Sequence, residues 1–162
     1  VDIFETASAD GVLNTSTWYG SDGMAKSAAL LSAPVGAAFA ARVGYPNPLF
    51  GFNPANQSAW QPLATEIQHV SGVAPDAFAL AAYDALFLIY RALQQSQAGK
   101  NFAAFKAAFV ANANSYTGVT GSTTLNAAGD RVLSDFDFWA IRRVNGSLSW
   151  MVIGRYIGGV LY

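Results

Sequence analysis

Hydrophobic positions recur at helical spacing through the middle of the chain and alternate near its end, with breakers in between. Trp60, Leu63, Ile67 and Val70 share one face of a helix predicted over 55–70, and Pro62 either opens its first turn or kinks it. Pro75-Asp76 opens the clearest helix, running to about Gln95. Proline suits a first turn, and the acid complements the helix dipole. The body of this helix is apolar nearly all round, which predicts burial on several sides. A third helix is predicted over 101–113, with Phe102, Phe105 and Phe109 as a core stripe. Near the end, Phe136, Phe138, Ala140 and Arg142 alternate with Asp137, Trp139, Ile141 and Arg143, as in a strand with one face more buried than the other. Asn145-Gly146 marks a hairpin turn and 148–156 supplies the return strand. Asp135 and Asp137 are expected to face solvent, and Arg142-Arg143 to form a solvated hairpin edge.

The first third is less regular. It predicts a short helix over 2–9, a strand over 15–19, a helix over 24–31 stopped near Pro34, and a strand over 37–45. Tyr45-Pro46-Asn47-Pro48 and Asn53-Pro54 break regular structure. A turn-rich passage at 116–121, a strand-like stretch at 123–126 and a turn at 128–130 lead into the hairpin. Helices alternating with strands until a final antiparallel hairpin predict an α/β layout.

Composition narrows the function classes. The 162 residues are 52% hydrophobic and 12% charged, enough apolar material for a real core and far from a disordered composition. Net charge is −1 with no basic patch, so nucleic acid is not an expected partner. The absence of cysteine excludes disulfides, thiolate metal sites and cysteine nucleophiles. His69 is the single histidine; it is expected to cap or solvate a helix end, with no second histidine to complete a zinc site. Ser21 lacks the glycine spacing of a nucleophile elbow, and no phosphate-cradling loop with a lysine is present. Neither a metal, a cofactor nor an enzymatic activity is therefore expected. Residues 1–10 lack the basic start and apolar run of a signal peptide, as a mature exported chain would. The apolar stretch 77–90 is too short to span a bilayer and carries Asp84.

One acid stands out. Asp22 sits in Gly20-Ser21-Asp22-Gly23 behind Trp18-Tyr19, in a turn whose two glycines suggest unusual dihedrals or close backbone approach. Two readings are open. Asp22 caps a helix starting near Met24, or it receives a ligand cation such as an α-ammonium group through a charge-assisted bond.

Trp18-Tyr19-Gly20-Ser21-Asp22-Gly23, Asn53-Pro54-Ala55-Asn56, Ala82-Tyr83-Asp84-Ala85, Tyr116-Thr117-Gly118-Val119-Thr120-Gly121 and Asn126-Ala127-Ala128-Gly129-Asp130 follow one another in order. Together they resemble the C-terminal half of type I periplasmic binding proteins of the branched-chain amino-acid (Leu/Ile/Val) class, the fold that also forms the ligand-binding region of metabotropic glutamate and GABA-B receptors. The resemblance implies Rossmann-like lobes, each a parallel sheet with flanking helices, closing on a small ligand. It implies that 1–52 belong to the second lobe, 53–128 to the first, and 129–162 to a hinge crossing and the hairpin returning to the second. Asp22 matches the residue that holds the ligand's α-amino group, and Phe78 one that lines the ligand side-chain pocket. Ser21 and Tyr19 are further candidates at the cleft rim, while Tyr83 and Asp84 are expected to pack or bond near the hinge. The expected partners are an amino acid or similar small molecule, an ABC-transporter permease, and either the missing N-terminal half or a second copy covering open sheet edges. The expected location is extracytoplasmic. A receptor or regulator sensor domain is the alternative within the fold, and a small α/β enzyme using Asp22 or His69 the alternative outside it.

Overall fold

The computed structural model describes residues 1–96 and 101–162. In chain order its elements are α1 (Asp2–Ala9), α2 (Ala28–Ser32), α3 (Pro34–Val43), β1 (Asn47–Phe50), α4 (Gln57–Ser71), α5 (Ala77–Gln95), α6 (Phe102–Ser115), β2 (Thr117–Gly118), β3 (Gly121–Ser122), β4 (Phe136–Val144), β5 (Ser147–Ile157) and β6 (Val160–Leu161). They fall into two compact units. One comprises Val1–Phe50 with Phe136–Tyr162, the other Gly51–Asp135.

The first unit is a four-stranded sheet, order β1-β4-β5-β6, with α2 and α3 against it and α1 packed on α3. Every pairing in it is antiparallel, so the expected parallel sheet is not present among the described residues. Parallel pairing needs strands joined by helical crossovers, and the two early stretches expected to supply them are not strands. Residues 15–19 begin in a tight turn held by local bonds. The Asp10 carboxylate accepts from the Val12 and Leu13 amides (2.9 and 2.8 Å), and the Thr15 and Ser16 hydroxyls donate back to the Val12 carbonyl. Such side-chain bonds compete directly with strand formation. Residues 37–45 lie mostly in α3 instead. Pro34 is not a stop but the first residue of α3, where its missing N–H costs nothing, and the alanines that follow are the best helix formers.

The predicted break at Asn47-Pro48 is in fact β1, paired with β4 from Asn47↔Trp139 to Phe50↔Phe136. Proline is tolerated there because β1 is an edge strand. The C-terminal hairpin forms at the predicted place. Its turn residues Asn145 and Gly146 both have positive φ (49° and 83°), as a tight hairpin turn requires. Strand β4 does not keep one buried face: Ala140 and Ile141 are both fully buried, beyond an irregularity at Phe138/Trp139. Asp137 is paired, accepting from Arg155 Nε at 3.0 Å. Arg143 braces the turn through the Gly146 carbonyl at 2.8 Å, and Arg142 is half-buried.

The core of this unit gathers Phe4, Leu30, Phe39, Tyr45 and Ile141. Phe4 meets the Tyr45 ring edge-on at 4.9 Å, and Trp18 meets Phe39 at 5.4 Å. Burying a side chain such as Leu30 or Phe39 contributes about 1.5–3 kcal/mol. Trp150 ties β5 to the start of α2 by donating to the Ser27 carbonyl at 3.1 Å.

In the second unit, α4 and α5 stand where the periodicity predicts, with Pro62 inside α4 and Asp76 capping α5 through the Ala79 amide at 2.9 Å. Helix α5 is buried along one stripe only: Ala77, Leu80, Asp84, Leu88 and Ala92. Leu86, Phe87, Ile89, Tyr90 and Leu93 are exposed, so the expected burial on several sides is not realised within this unit. At 19 residues α5 is long and apolar enough to cross a membrane by length and composition alone, beyond the limit the 77–90 stretch suggested. The phenylalanine stripe of α6 is not core either. Phe102, Phe105 and Phe109 form a ladder with centroids 6.4 and 6.3 Å apart, Phe102 is exposed, and Ala113 is the buried residue of that helix.

Candidate functional site

In the first unit the acid-bearing turn is shaped by Gly20. Its N–H donates to the Pro46 carbonyl at 2.9 Å, and a Cβ added to it would overlap the Asn47 Oδ1 and lie 2.7 Å from the Tyr45 ring. Glycine is therefore required here by close approach. Gly23 is not so constrained, its nearest added contact being Ser21 Oγ at 3.8 Å. A short 3-10 turn spans Asp22–Met24, and the following helix, α2, starts at Ala28. Its cap is Ser27, which accepts from the Leu30 amide at 3.2 Å, so the capping reading of Asp22 does not hold. The Asp22 carboxylate accepts from the adjacent Gly23 amide at 2.9 Å and is exposed to solvent, as is Ser21.

Tyr19, 77% exposed, lines an apolar concavity of about 630 Å³ together with Pro46, Pro48, Phe138, Ile153 and Tyr162. That volume lies within the range of small-molecule sites. Ser21 and Asp22 are not among its lining residues. Beneath the turn, Asn47 is fully buried. Its Nδ2 donates to the Tyr45 and Trp139 carbonyls (2.9 and 3.4 Å), while its Oδ1 and the Trp139 Nε1 have no hydrogen-bond partner.

The other candidates belong to the second unit. Phe78, in the first turn of α5, is 47% exposed. Tyr83 is half-buried with its ring 4.9 Å from that of Phe87. Asp84 is 2% exposed and organises the loop beyond α6. Its two carboxylate oxygens accept from the Val119 amide (2.9 Å), the Thr120 amide (2.9 Å) and the Thr120 hydroxyl (2.6 Å). Gly118 is dictated by the same contact, since a Cβ there would run into the Asp84 carboxylate. Arg131 closes the network. It donates to the Thr120 hydroxyl (3.0 Å) and carbonyl (3.1 Å), and through Nε and Nη2 to the Ser122 carbonyl (3.2 and 2.6 Å). Burial lowers the Arg131 pKa below the usual guanidinium value, against the opposing pull of the Asp84 and Asp135 carboxylates. Sequence reading singled out Asp84 and Thr120 through their motifs but had no signal for Arg131 or Asn47, ordinary residues placed by the fold. His69 is exposed in the last turn of α4. Among the described residues no group of three or more His, Cys, Asp or Glu is placed to hold a metal ion.

No protein-family profile matches the chain, and no curated protein matches it by sequence. A solved structure does: an ABC transporter substrate-binding protein from Desulfitobacterium hafniense, with a TM-score of 0.59 at 19% identity over 93% of this chain. The chain spans 39% of that protein's length. At this identity the likeness establishes the fold alone: the chain has the mixed helix-and-sheet fold of part of a substrate-binding protein.

Proposed function

We propose that the chain is part of an extracytoplasmic, non-enzymatic solute-binding protein. In this reading it belongs to the type I, branched-chain amino-acid class and delivers amino acids or related small apolar or aromatic acids to an ABC importer. The observation that carries this reading is the agreement of two independent signals. The ordered motifs from Trp18 to Asp130 resemble that class, and the fold matches a substrate-binding protein over 93% of the chain. In this reading Asp22 holds the ligand's ammonium group, Phe78 lines its side-chain pocket, and Ser21 and Tyr19 lie at the rim. Asp22 suits the role because its carboxylate is exposed and engages one local amide, leaving acceptor capacity for a cation. Residues 1–52 and 129–162 would form part of one lobe and 53–128 part of the other. Tyr83 and the Asp84 network stiffen the latter near the hinge. The mechanism is hinge closure: ligand binds the closed form better and shifts the population toward it, and the closed form docks on the permease.

The test is a melting-shift screen against the amino acids on the full-length protein. A ligand at about 100 times its dissociation constant stabilises by roughly 2.7 kcal/mol. Asp22→Asn removes most of that shift for amino acids, and an unchanged shift in the variant would refute the role of Asp22. Absence of any amino-acid shift in the unmodified protein would count against the ligand class.

A further inference from the structure

The concavity that Tyr19 lines runs across one face of the four-stranded sheet and lies wholly in the first unit. Each strand contributes to it: Pro48 from β1, Phe138 from β4, Gly154 from β5 and Leu161 from β6. Pro48, Phe138 and Gly154 are cross-strand neighbours, so they share that face. Two glycines keep the space open. Gly20 has no room for a Cβ against Asn47, and a Cβ at Gly154 would lie 3.1 Å from the Tyr162 carbonyl, where the chain folds back to exchange two hydrogen bonds with Arg155 (3.0 and 2.7 Å). A β-bulge adds to this. Phe138 pairs with Gly154 and Trp139 with Val152, which leaves Ile153 as the extra residue of β5. In a regular strand Ile153 and Gly154 would point to opposite faces, yet both line the concavity. Bulges re-aim side chains in this way beside active sites.

The lining is chemically uniform. The rings of Tyr19, Phe138 and Tyr162, two prolines and Ile153 make up most of it, and none of its described lining residues is charged. Tyr162 and Leu161 are 73% and 68% exposed, so apolar surface is left in water for a ligand to cover. The volume of about 630 Å³ offers more room than a branched aliphatic side chain fills. A charged side chain would lose its hydration there without gaining a partner, whereas a flat ring packs on tyrosine and phenylalanine faces. The Asp22–Met24 turn packs on β1, and Asp22 follows Gly20 by two residues, a chain reach of about 7 Å. An ammonium group at Asp22 and a ring in the concavity therefore fall within the span of one aromatic amino acid. On the reading of Asp22 as the ammonium-binding residue, we propose that the ligand is an aromatic amino acid whose ring occupies this concavity, with Ile153 and Tyr162 setting the preference for a ring over an aliphatic chain.

The experiment is an amide-resolved NMR titration of the chain with phenylalanine, leucine, glutamate and 3-phenylpropionamide, which carries the ring without the ammonium. The expected result is saturable shifts at Gly20, Gly154 and Leu161, with phenylalanine bound about threefold to tenfold more tightly than leucine and no saturable shift there with glutamate. Ile153→Asp, which sets a charge in the concavity, should weaken phenylalanine at least about tenfold. Tyr162→Ala, at a more exposed position that the fold tolerates more readily, should weaken it about threefold or more. The amide spectrum away from the concavity shows whether each variant is folded. Asp22→Asn should weaken phenylalanine about tenfold and leave 3-phenylpropionamide unchanged. Leucine or glutamate binding as tightly as phenylalanine, or an unchanged phenylalanine affinity in both Ile153→Asp and Tyr162→Ala, would overturn the ring site while sparing the role of Asp22. Phenylalanine and 3-phenylpropionamide binding equally, both indifferent to Asp22→Asn, would overturn the amino-acid reading and with it the ligand class named here.

Discussion

Replacing Gly20 with alanine should destabilise the first unit far more than the same change three residues on. A Cβ at Gly20 would overlap Asn47 Oδ1, lie 2.6 Å from its Cγ and 2.7 Å from the Tyr45 ring. Neither neighbour has room to retreat. Asn47 is fully buried and holds the Tyr45 and Trp139 carbonyls; Tyr45 is 6% exposed and packs edge-on against Phe4. Overpacking of a filled core costs about 1–3 kcal/mol, and displacing Asn47 forfeits a hydrogen bond worth about 1 kcal/mol. The expected loss for Gly20→Ala is therefore about 2–4 kcal/mol. Gly23→Ala meets Ser21 Oγ at 3.8 Å, an ordinary contact, and should stay within about 0.5 kcal/mol of the unmodified chain. Urea unfolding followed by tryptophan fluorescence gives both values, because Trp18, Trp139 and Trp150 all belong to this unit. Adding Asn47→Ala to Gly20→Ala should cost less than the sum of the two single changes, by about 1 kcal/mol or more, since it removes the clashing amide. Equal midpoints for Gly20→Ala and Gly23→Ala, or strict additivity in the double variant, would refute this account of the turn.

Three further outcomes follow from the hydrogen-bond and ionisation patterns. Asp84→Asn puts an NH2 where one carboxylate oxygen accepts, facing an N–H of the 118–120 turn, and should cost about 2–3 kcal/mol; amide exchange at Val119 and Thr120 should accelerate, and unchanged protection there would contradict the network. Thr120→Val, which removes the hydroxyl but keeps the backbone bonds, should cost about half as much. Burial raises the Tyr45 pKa above its usual value of 10.0; a raised folded-state pKa contributes stability that is complete below pH 10 and lost as pH climbs through the folded value. Tyr45→Phe should consequently flatten part of the alkaline limb of a stability-versus-pH curve while leaving stability at neutral pH nearly unchanged, and an unaltered limb would show that Tyr45 does not ionise in step with unfolding.

What could be read from the sequence depended on whether the deciding interaction was local. Helices α1, α4, α5 and α6 and the β4–β5 hairpin were legible because periodicity, a capping aspartate at Asp76 and the Asn145-Gly146 turn act within a few residues. In the stretch from Leu13 to Phe50 only the end of the helix expected over 24–31 is present, as α2 (Ala28–Ser32); the rest was not legible, because similar residues there serve different structural ends. Pro34 opens a helix where it read as a stop, and Pro48 sits in an edge strand where it read as a break. Threonine and serine at 15–16 spend their hydroxyls on local carbonyls where they read as strand formers.

The same distinction separates the candidate residues. Gly20 and Asp22 were visible in the sequence as a pair, but the structure gives them different reasons. Gly20 is fixed by the fully buried Asn47, twenty-seven residues away, whereas Asp22 is an exposed carboxylate in a short turn with one bond to its neighbouring amide. Gly20 is required by packing, whereas the Asp22 carboxylate has only a local use, accepting from the Gly23 amide at 2.9 Å in the first turn of the 3-10 segment. The nearby backbone needs no acid at that position, and α2 takes its cap from Ser27 instead. An exposed acid that packing does not use is ordinary on a protein surface, so the binding role proposed for Asp22 is decided by its ligand response and not by its place in the fold. That asymmetry is why Asp22→Asn should leave melting in the absence of ligand unchanged while altering the response to amino acids; a variant that lost stability without ligand would place Asp22 among the structural residues.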